Sequence, residues 1–154
     1  MMHERSIPAW PIQVLLVEDS LDDIELARRG LACGRRSFHL NVVRDGQEAL
    51  DYLLRQGAYS RSRHVMPDLV LLDLHLPRVD GLDVLEVIRN TPELTLIPVI
   101  IMTASEREED VVSSYRSGAN TYIQKRVEFG EFARSMELLT EYWGTLARLP
   151  GRAA

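Results

Sequence analysis

Five places in this 154-residue chain carry side chains suited to phosphoryl chemistry, and each follows a short apolar, β-prone run: Glu18-Asp19, Asp73, Thr103 and Lys125, with Tyr122 just ahead of the lysine. Three carboxylates brought to one edge repel one another, which raises their proton affinity unless a cation neutralises them. Oxygen-only donors suit Mg²⁺, which keeps several waters and leaves room for phosphate oxygens. With one side of a phosphoryl group held in this way, Lys125 can neutralise a second oxygen and the Thr103 hydroxyl can donate to a third. Asp73 is then the nucleophile, and an aspartyl phosphate the covalent product.

Taken singly, each residue has an ordinary explanation. Asp at a strand end commonly caps a turn or helix, and Glu18 and Asp19 would favour the N-terminus of a following helix. Thr103 could cap a helix, Lys125 could be a solvated charge, and Tyr122 a core aromatic with its hydroxyl at the surface. All of them arriving together at strand ends is what capping leaves unexplained.

The elements that must position them follow from pattern. Ile12 to Val17 reads as a strand halting at Glu18-Asp19, and Ser20 with Asp22 and Asp23 reads as the start of a helix carrying Ile24, Ala27 and Leu31, with Gly34 as its stop. Phe38 to Val43 reads as a second strand, and Asp45-Gly46-Gln47-Glu48 has capping-box spacing before a helix ending at Gly57. Residues 56–66 form a long polar loop, expected to be mobile or partner-facing. Leu69 to Leu72 lacks polar alternation, as a strand covered on both faces should, and Pro77 with Gly81 marks the loop beyond Asp73. A third helix runs through Leu82, Val84, Leu85 and Ile88 to before Pro92; Ile97 to Met102 is a fourth strand. A charged fourth helix starts at Ser105 and closes at Gly118, its burial shallow. Thr121 to Ile123 is a fifth strand, and Phe129, Phe132, Ala133, Met136, Leu139, Trp143 and Leu146 stripe a long last helix. Alternation of this kind predicts an α/β fold with one parallel sheet, helices on both faces and the ligand at the carboxyl ends of the strands.

Composition bounds the partners. Eighteen Lys and Arg against 23 Asp and Glu give a net charge of −5, which excludes a general affinity for nucleic acid or anionic lipid. The single cysteine, Cys33, has no internal partner, the first eleven residues lack the apolar stretch of a secretory signal, and the longest apolar run, 96–102, is far short of a bilayer span. These features predict a cytoplasmic protein with no membrane segment: an irregular lead-in at 1–11 with Trp10 against an edge of the core, one domain at 12–149, and a short tail at 150–154 with no output domain.

Together, Glu18-Asp19, Asp73 with Pro77 and Gly81 after it, Thr103-Ala104, and Tyr122 before Lys125 resemble the response-regulator receiver domain of two-component systems, over roughly residues 13–146. The resemblance implies a flavodoxin-like (βα)5 fold and phosphoryl transfer from a histidine kinase to Asp73, self-catalysed rather than the work of a conventional enzyme. It also implies Mg²⁺ bound directly by Asp19 and Asp73, through water by Glu18, and by the backbone carbonyl of His75. It makes Ala104 a backbone contact to phosphate and Thr103 and Tyr122 the switch pair. The spacing between the second helix and third strand, the Glu18-Asp19-Ser20 start and the Tyr142-Trp143 ending are similar to stand-alone regulators paired with phytochrome-type kinases. Output would then pass through protein contacts.

Two positions depart from the family. Arg126 replaces the proline that usually follows the lysine, and a non-proline cis bond costs roughly 2.5–4 kcal/mol, so a trans bond and a shifted loop are expected. His75 stands two positions after Asp73, at a site that in the family influences phosphate loss; its side chain is expected to face solvent rather than a metal. Three rival readings stand beside this one. A haloacid-dehalogenase-type phosphatase needs a second Asp where His75 stands, and an FMN-binding module needs a phosphate loop where Glu18-Asp19 would repel phosphate. A receiver-like scaffold that never accepts phosphate is the third. On the last helix, Leu138, Tyr142 and Leu149 lie off the core stripe and predict a homodimer face.

Overall fold

The computed structural model describes residues 10–125 and 130–150. Five strands alternate with five helices: β1 (Ile12–Val17), α1 (Leu21–Leu31), β2 (Phe38–Val43), α2 (Gly46–Leu54), β3 (Leu69–Leu72), α3 (Gly81–Asn90), β4 (Val99–Thr103), α4 (Glu108–Arg116), β5 (Thr121–Gln124) and α5 (Glu131–Glu141). All pairings are parallel, in the order β2-β1-β3-β4-β5, the doubly wound arrangement that the alternation predicts. The winding reverses between β1 and β3, and a crevice opens there beyond the carboxyl ends of the strands. Val17 pairs with Leu72, so the next residues, Glu18 and Asp73, leave the sheet side by side at that crevice.

Strand side chains alternate between two apolar layers, as the two-residue period of a strand requires. Leu15, Val17, Val70 and Leu72 face α2 and α3 with Ala49, Leu53, Val84 and Ile88, while Val14, Leu16, Leu69 and Leu71 face α1 and α5 with Ala27, Phe132 and Met136. A β-carbon on Gly30 would sit 2.3 Å from that of Met136, so only glycine allows α1 and α5 to cross this closely. Helix α4 stands apart, burying only Ser114 among its residues, in keeping with the shallow burial expected of it.

Several boundaries differ from expectation. α1 stops at Leu31 with Ala32 as its cap, before Gly34. α2 ends at Arg55, which takes the left-handed conformation (φ 53°), and not at Gly57. Arg55 offsets that cost by donating from its guanidinium to the Ser62 and His64 carbonyls at 3.4 and 2.8 Å. Those bonds also tie the loop at 56–66, expected to be mobile or partner-facing, back to α2. A single 3-10 turn (Gly57–Tyr59) leads into it, the Tyr59 hydroxyl donates to Glu48, His64 Nε2 meets the Tyr52 carbonyl at 2.8 Å, and the three rings pack together.

α4 begins at Glu108, because Ser105 spends its hydroxyl on Asp110 and on the Arg107 N–H instead of capping a helix at once. Trp10 is 53% exposed and does not cover the core. At the end of α5 the helix widens into one π turn over Tyr142–Leu146, closed by Ala147 N–H to the Tyr142 carbonyl at 2.7 Å. A π turn advances the chain by one extra residue and so rotates the expected stripe. Leu146, expected in the core, lies in this turn and is 69% exposed; the extended Ala147 then ends the helix, and Leu149, expected on the outer face, folds back against the α1/α5 layer. Phe129 and the bond between residues 125 and 126 lie outside the described residues.

Candidate functional site

β1 delivers Glu18 into a buried position and Asp19 into an exposed one, since successive residues leave a strand on opposite sides. Their carboxylate oxygens and one from Asp73 lie within 4.8 Å of one another. β5 aligns Lys125 by donating its backbone N–H to the Thr103 carbonyl at 2.7 Å, and the side chain runs back across the crevice. Its ammonium bonds Glu18 directly, Asp23 at 3.0 Å and Asp73 at 3.4 Å. The lysine is thus the hub of the acidic cluster.

Burial alone would lower the Lys125 pKa, but the Glu18 hydrogen bond and the charges of Asp73 and Glu18 outweigh it and raise the value above 10.5. Glu18 is pushed up by burial, and the Asp73 charge adds to this, while Lys125 and the Ser20 N–H pull the other way. Three acids around one ammonium keep the proton on the base, while burial, beyond what the lysine offsets, is what raises the acid.

The loop after Asp73 is fixed by two close approaches. A β-carbon at Gly81 would lie 2.2 Å from the Asp73 carbonyl oxygen, and one at Gly46 would lie 1.9 Å from that of Val79. Glycine at both places lets the starts of α3 and α2 abut the loop, and the Gly81 N–H donates to the Leu74 carbonyl at 2.8 Å. Pro77 accepts from the Gly46 N–H. The His75 N–H reaches Asp73 Oδ1 at 3.4 Å, and its side chain is exposed as expected, with Nε2 3.8 Å from Asp110.

On the other flank Thr103 is fully buried, its hydroxyl accepting the Ser105 N–H at 3.3 Å, and Ala104 lies exposed at the mouth. Tyr122 is half-buried beneath α4, its hydroxyl donating to the Ser105 carbonyl at 3.1 Å. Burial raises its pKa. Sequence reading missed Asp23, treated only as a first-turn acid of α1. That helix points its start at the crevice, so its first-turn acids are within a lysine's reach.

Residues 14–137 match the response regulator receiver domain family. The chain is a response regulator receiver. It is 36% identical over 149 residues to response regulator Rcp1 of Synechocystis sp., an alignment covering 97% of this chain and 99% of that one. The crystal structure of the Mn²⁺-bound form of Rcp1 superposes with TM-score 0.86, covering 92% of this chain and all of that one. The phosphorylated cyanobacterial phytochrome response regulator RcpA superposes equally well, at 0.86 with 37% identity over 92% of this chain and all of RcpA. The bacteriophytochrome response regulator RtBRR is 42% identical, with TM-score 0.71 over 92% of this chain and 85% of that one.

Receivers hold a divalent metal in this acidic pocket, and the residues here fit one. Three carboxylate oxygens stand close enough to share a cation, and every donor is a hard oxygen. No helix among the described residues is long and apolar enough to cross a membrane.

Proposed function

We propose that this receiver takes a phosphoryl group from a sensor histidine kinase onto Asp73. The observation that carries this is the Lys125 ammonium spanning Glu18, Asp23 and Asp73 beside a buried Thr103 hydroxyl. An Asp73 carboxylate oxygen attacks the phosphorus of the phosphohistidine; the new P–O bond forms as the P–N bond breaks, and the imidazole leaves. Lys125 turns from Glu18 and Asp23 toward a phosphoryl oxygen. Thr103 already accepts a hydrogen bond, so its own proton is available for a second oxygen, with the Ala104 N–H beside it. Asp19, Asp73 and the His75 carbonyl would hold Mg²⁺ directly and Glu18 through water; the ion, when bound, neutralises charge on the transferring group. Drawing Thr103 toward the phosphoryl group moves Ser105, and with it the Tyr122 hydroxyl that Ser105 holds, which is how the event reaches the α4–β5–α5 face.

Similarity to Rcp1, RcpA and RtBRR supports a phytochrome-type kinase as the donor, a cytoplasmic location, and output through protein contacts. Leu138 and Tyr142, each 49% exposed on α5, support a homodimer through that helix. The test is phosphotransfer from a labelled kinase: the wild-type chain takes up label in Mg²⁺, and Asp73→Asn does not. Uptake by Asp73→Asn at the wild-type level refutes the assignment.

A further inference from the structure

We infer that Asp110 is a positioning residue of the phosphorylation switch, holding the loop after β4 in the arrangement that precedes phosphorylation. This rests on the reading of Asp73 given above. Asp110 lies in the first turn of α4 with its side chain only 19% exposed. Its Oδ2 receives the Ser105 hydroxyl and faces His75 Nε2 at 3.8 Å.

From these two residues the ties run on to the site. The Ser105 N–H donates to the Thr103 hydroxyl and its carbonyl accepts from Tyr122, while the His75 N–H reaches Asp73. Through Ser105, Asp110 is therefore tied to both switch residues, and its carboxylate faces the exposed His75 side chain at 3.8 Å.

Local helix capping accounts for only part of this. It explains the bond from Ser105, whose hydroxyl also accepts the Arg107 N–H at 3.3 Å. It leaves unexplained why the backbone groups of Ser105 are spent on Thr103 and Tyr122. Moreover, the one buried residue of α4, Ser114, donates its hydroxyl to the Asp110 carbonyl at 2.7 Å. Where Asp110 sits, α4 sits.

A direction follows. If Thr103 moves toward a phosphoryl group, Ser105 is drawn with it, and its bonds to Asp110 and Tyr122 must yield. Whatever Asp110 contributes to the starting arrangement opposes the phosphorylated one to the same degree. Its removal therefore strengthens binding of a phosphoryl mimic, opposite in sign to the loss of an ordinary structural contact.

The experiment titrates the full chain with beryllofluoride in Mg²⁺ while following ring-labelled tyrosine by NMR. Asp110→Ala and Ser105→Ala are each expected to tighten beryllofluoride binding by about three- to tenfold. The double variant should add little, since both remove one tie. In both single variants the Tyr122 resonance should already lie toward its beryllofluoride-bound position before any ligand is added. Asp110→Asn, which keeps an acceptor for Ser105 but loses the charge facing His75, should fall between. Unchanged or weaker binding with Tyr122 unmoved would make Asp110 a helix cap and nothing more. If the wild-type chain binds no beryllofluoride, the Asp73 reading fails instead, and the ligand-free Tyr122 position in Asp110→Ala still decides whether the tie exists.

Discussion

Replacing Lys125 with methionine keeps most of the side chain's bulk and removes the one ammonium that bonds Glu18, Asp23 and Asp73. The three contacts involve side chains only 4%, 31% and 11% exposed. At an effective dielectric near 20, a pair at such distances attracts by about 5 kcal/mol before desolvation is counted. Breaking a buried ion pair by removing one partner costs about 3–5 kcal/mol net. A domain of this size loses roughly 2–4 °C of melting temperature per kcal/mol, so Lys125→Met in chelator at neutral pH should melt roughly 6–20 °C below wild type.

Glu18 supplies the internal check. Its pKa is already raised above 4.5 by burial, and the variant loses the lysine that pulls it down. The folded variant then binds the proton more tightly than the unfolded chain, so the defect is small below pH 4.5 and grows as pH rises through the folded value. Magnesium should act as a substitute cation. At 100 times its dissociation constant a ligand adds about 2.7 kcal/mol, recovering most of the loss, whereas wild type, whose lysine already neutralises the cluster, should gain less. Thermal melts across pH, with chelator and with magnesium, measure all of this. A variant that melts with wild type in chelator at neutral pH, or whose deficit is the same at low and high pH, would show that Lys125 does not neutralise this cluster.

Gly81→Ala places a methyl group against the Asp73 and Leu74 backbone, so about 1–3 kcal/mol of stability should be lost together with phosphotransfer rate, read by denaturant unfolding and label uptake. Tyr59, lifted to about 12 chiefly by burial and by its bond to Glu48, should ionise two units above its ordinary 10.0 in a spectrophotometric titration. Because the folded value is the higher, the stability it contributes is present below pH 10 and lost as pH rises through about 12. Leu138→Lys with Tyr142→Ser should leave the fold intact and abolish the dimer; light scattering that finds wild type monomeric at high concentration removes the dimer proposal.

Much of the fold was legible because its signals are local. The uninterrupted apolar run 69–72 and the acids following residue 17 specify covered strands with polar ends, and Asp45 caps α2 with the bond to the Glu48 N–H that its spacing predicts. The site residues were legible for the same reason, each lying at a strand end. What escaped were relations between distant segments. Nothing near Asp23 signals that Lys125 reaches it, nor does anything near His75 signal Asp110 across the mouth. Arg55 ends α2 in a conformation usually left to glycine, because carbonyls seven and nine residues onward hold its guanidinium.

The π turn at Tyr142–Leu146 bears on how this helix is to be compared with others. The extra residue carries Leu146 off the face that counting by sevens from Phe132 gives it, and the extended Ala147 then ends the helix and lets Leu149 pack back on the α1/α5 layer. A relative lacking that residue would turn a different side of this last turn outward. One insertion or deletion can thus change which side chains this end of the molecule presents, with no change in the residues themselves.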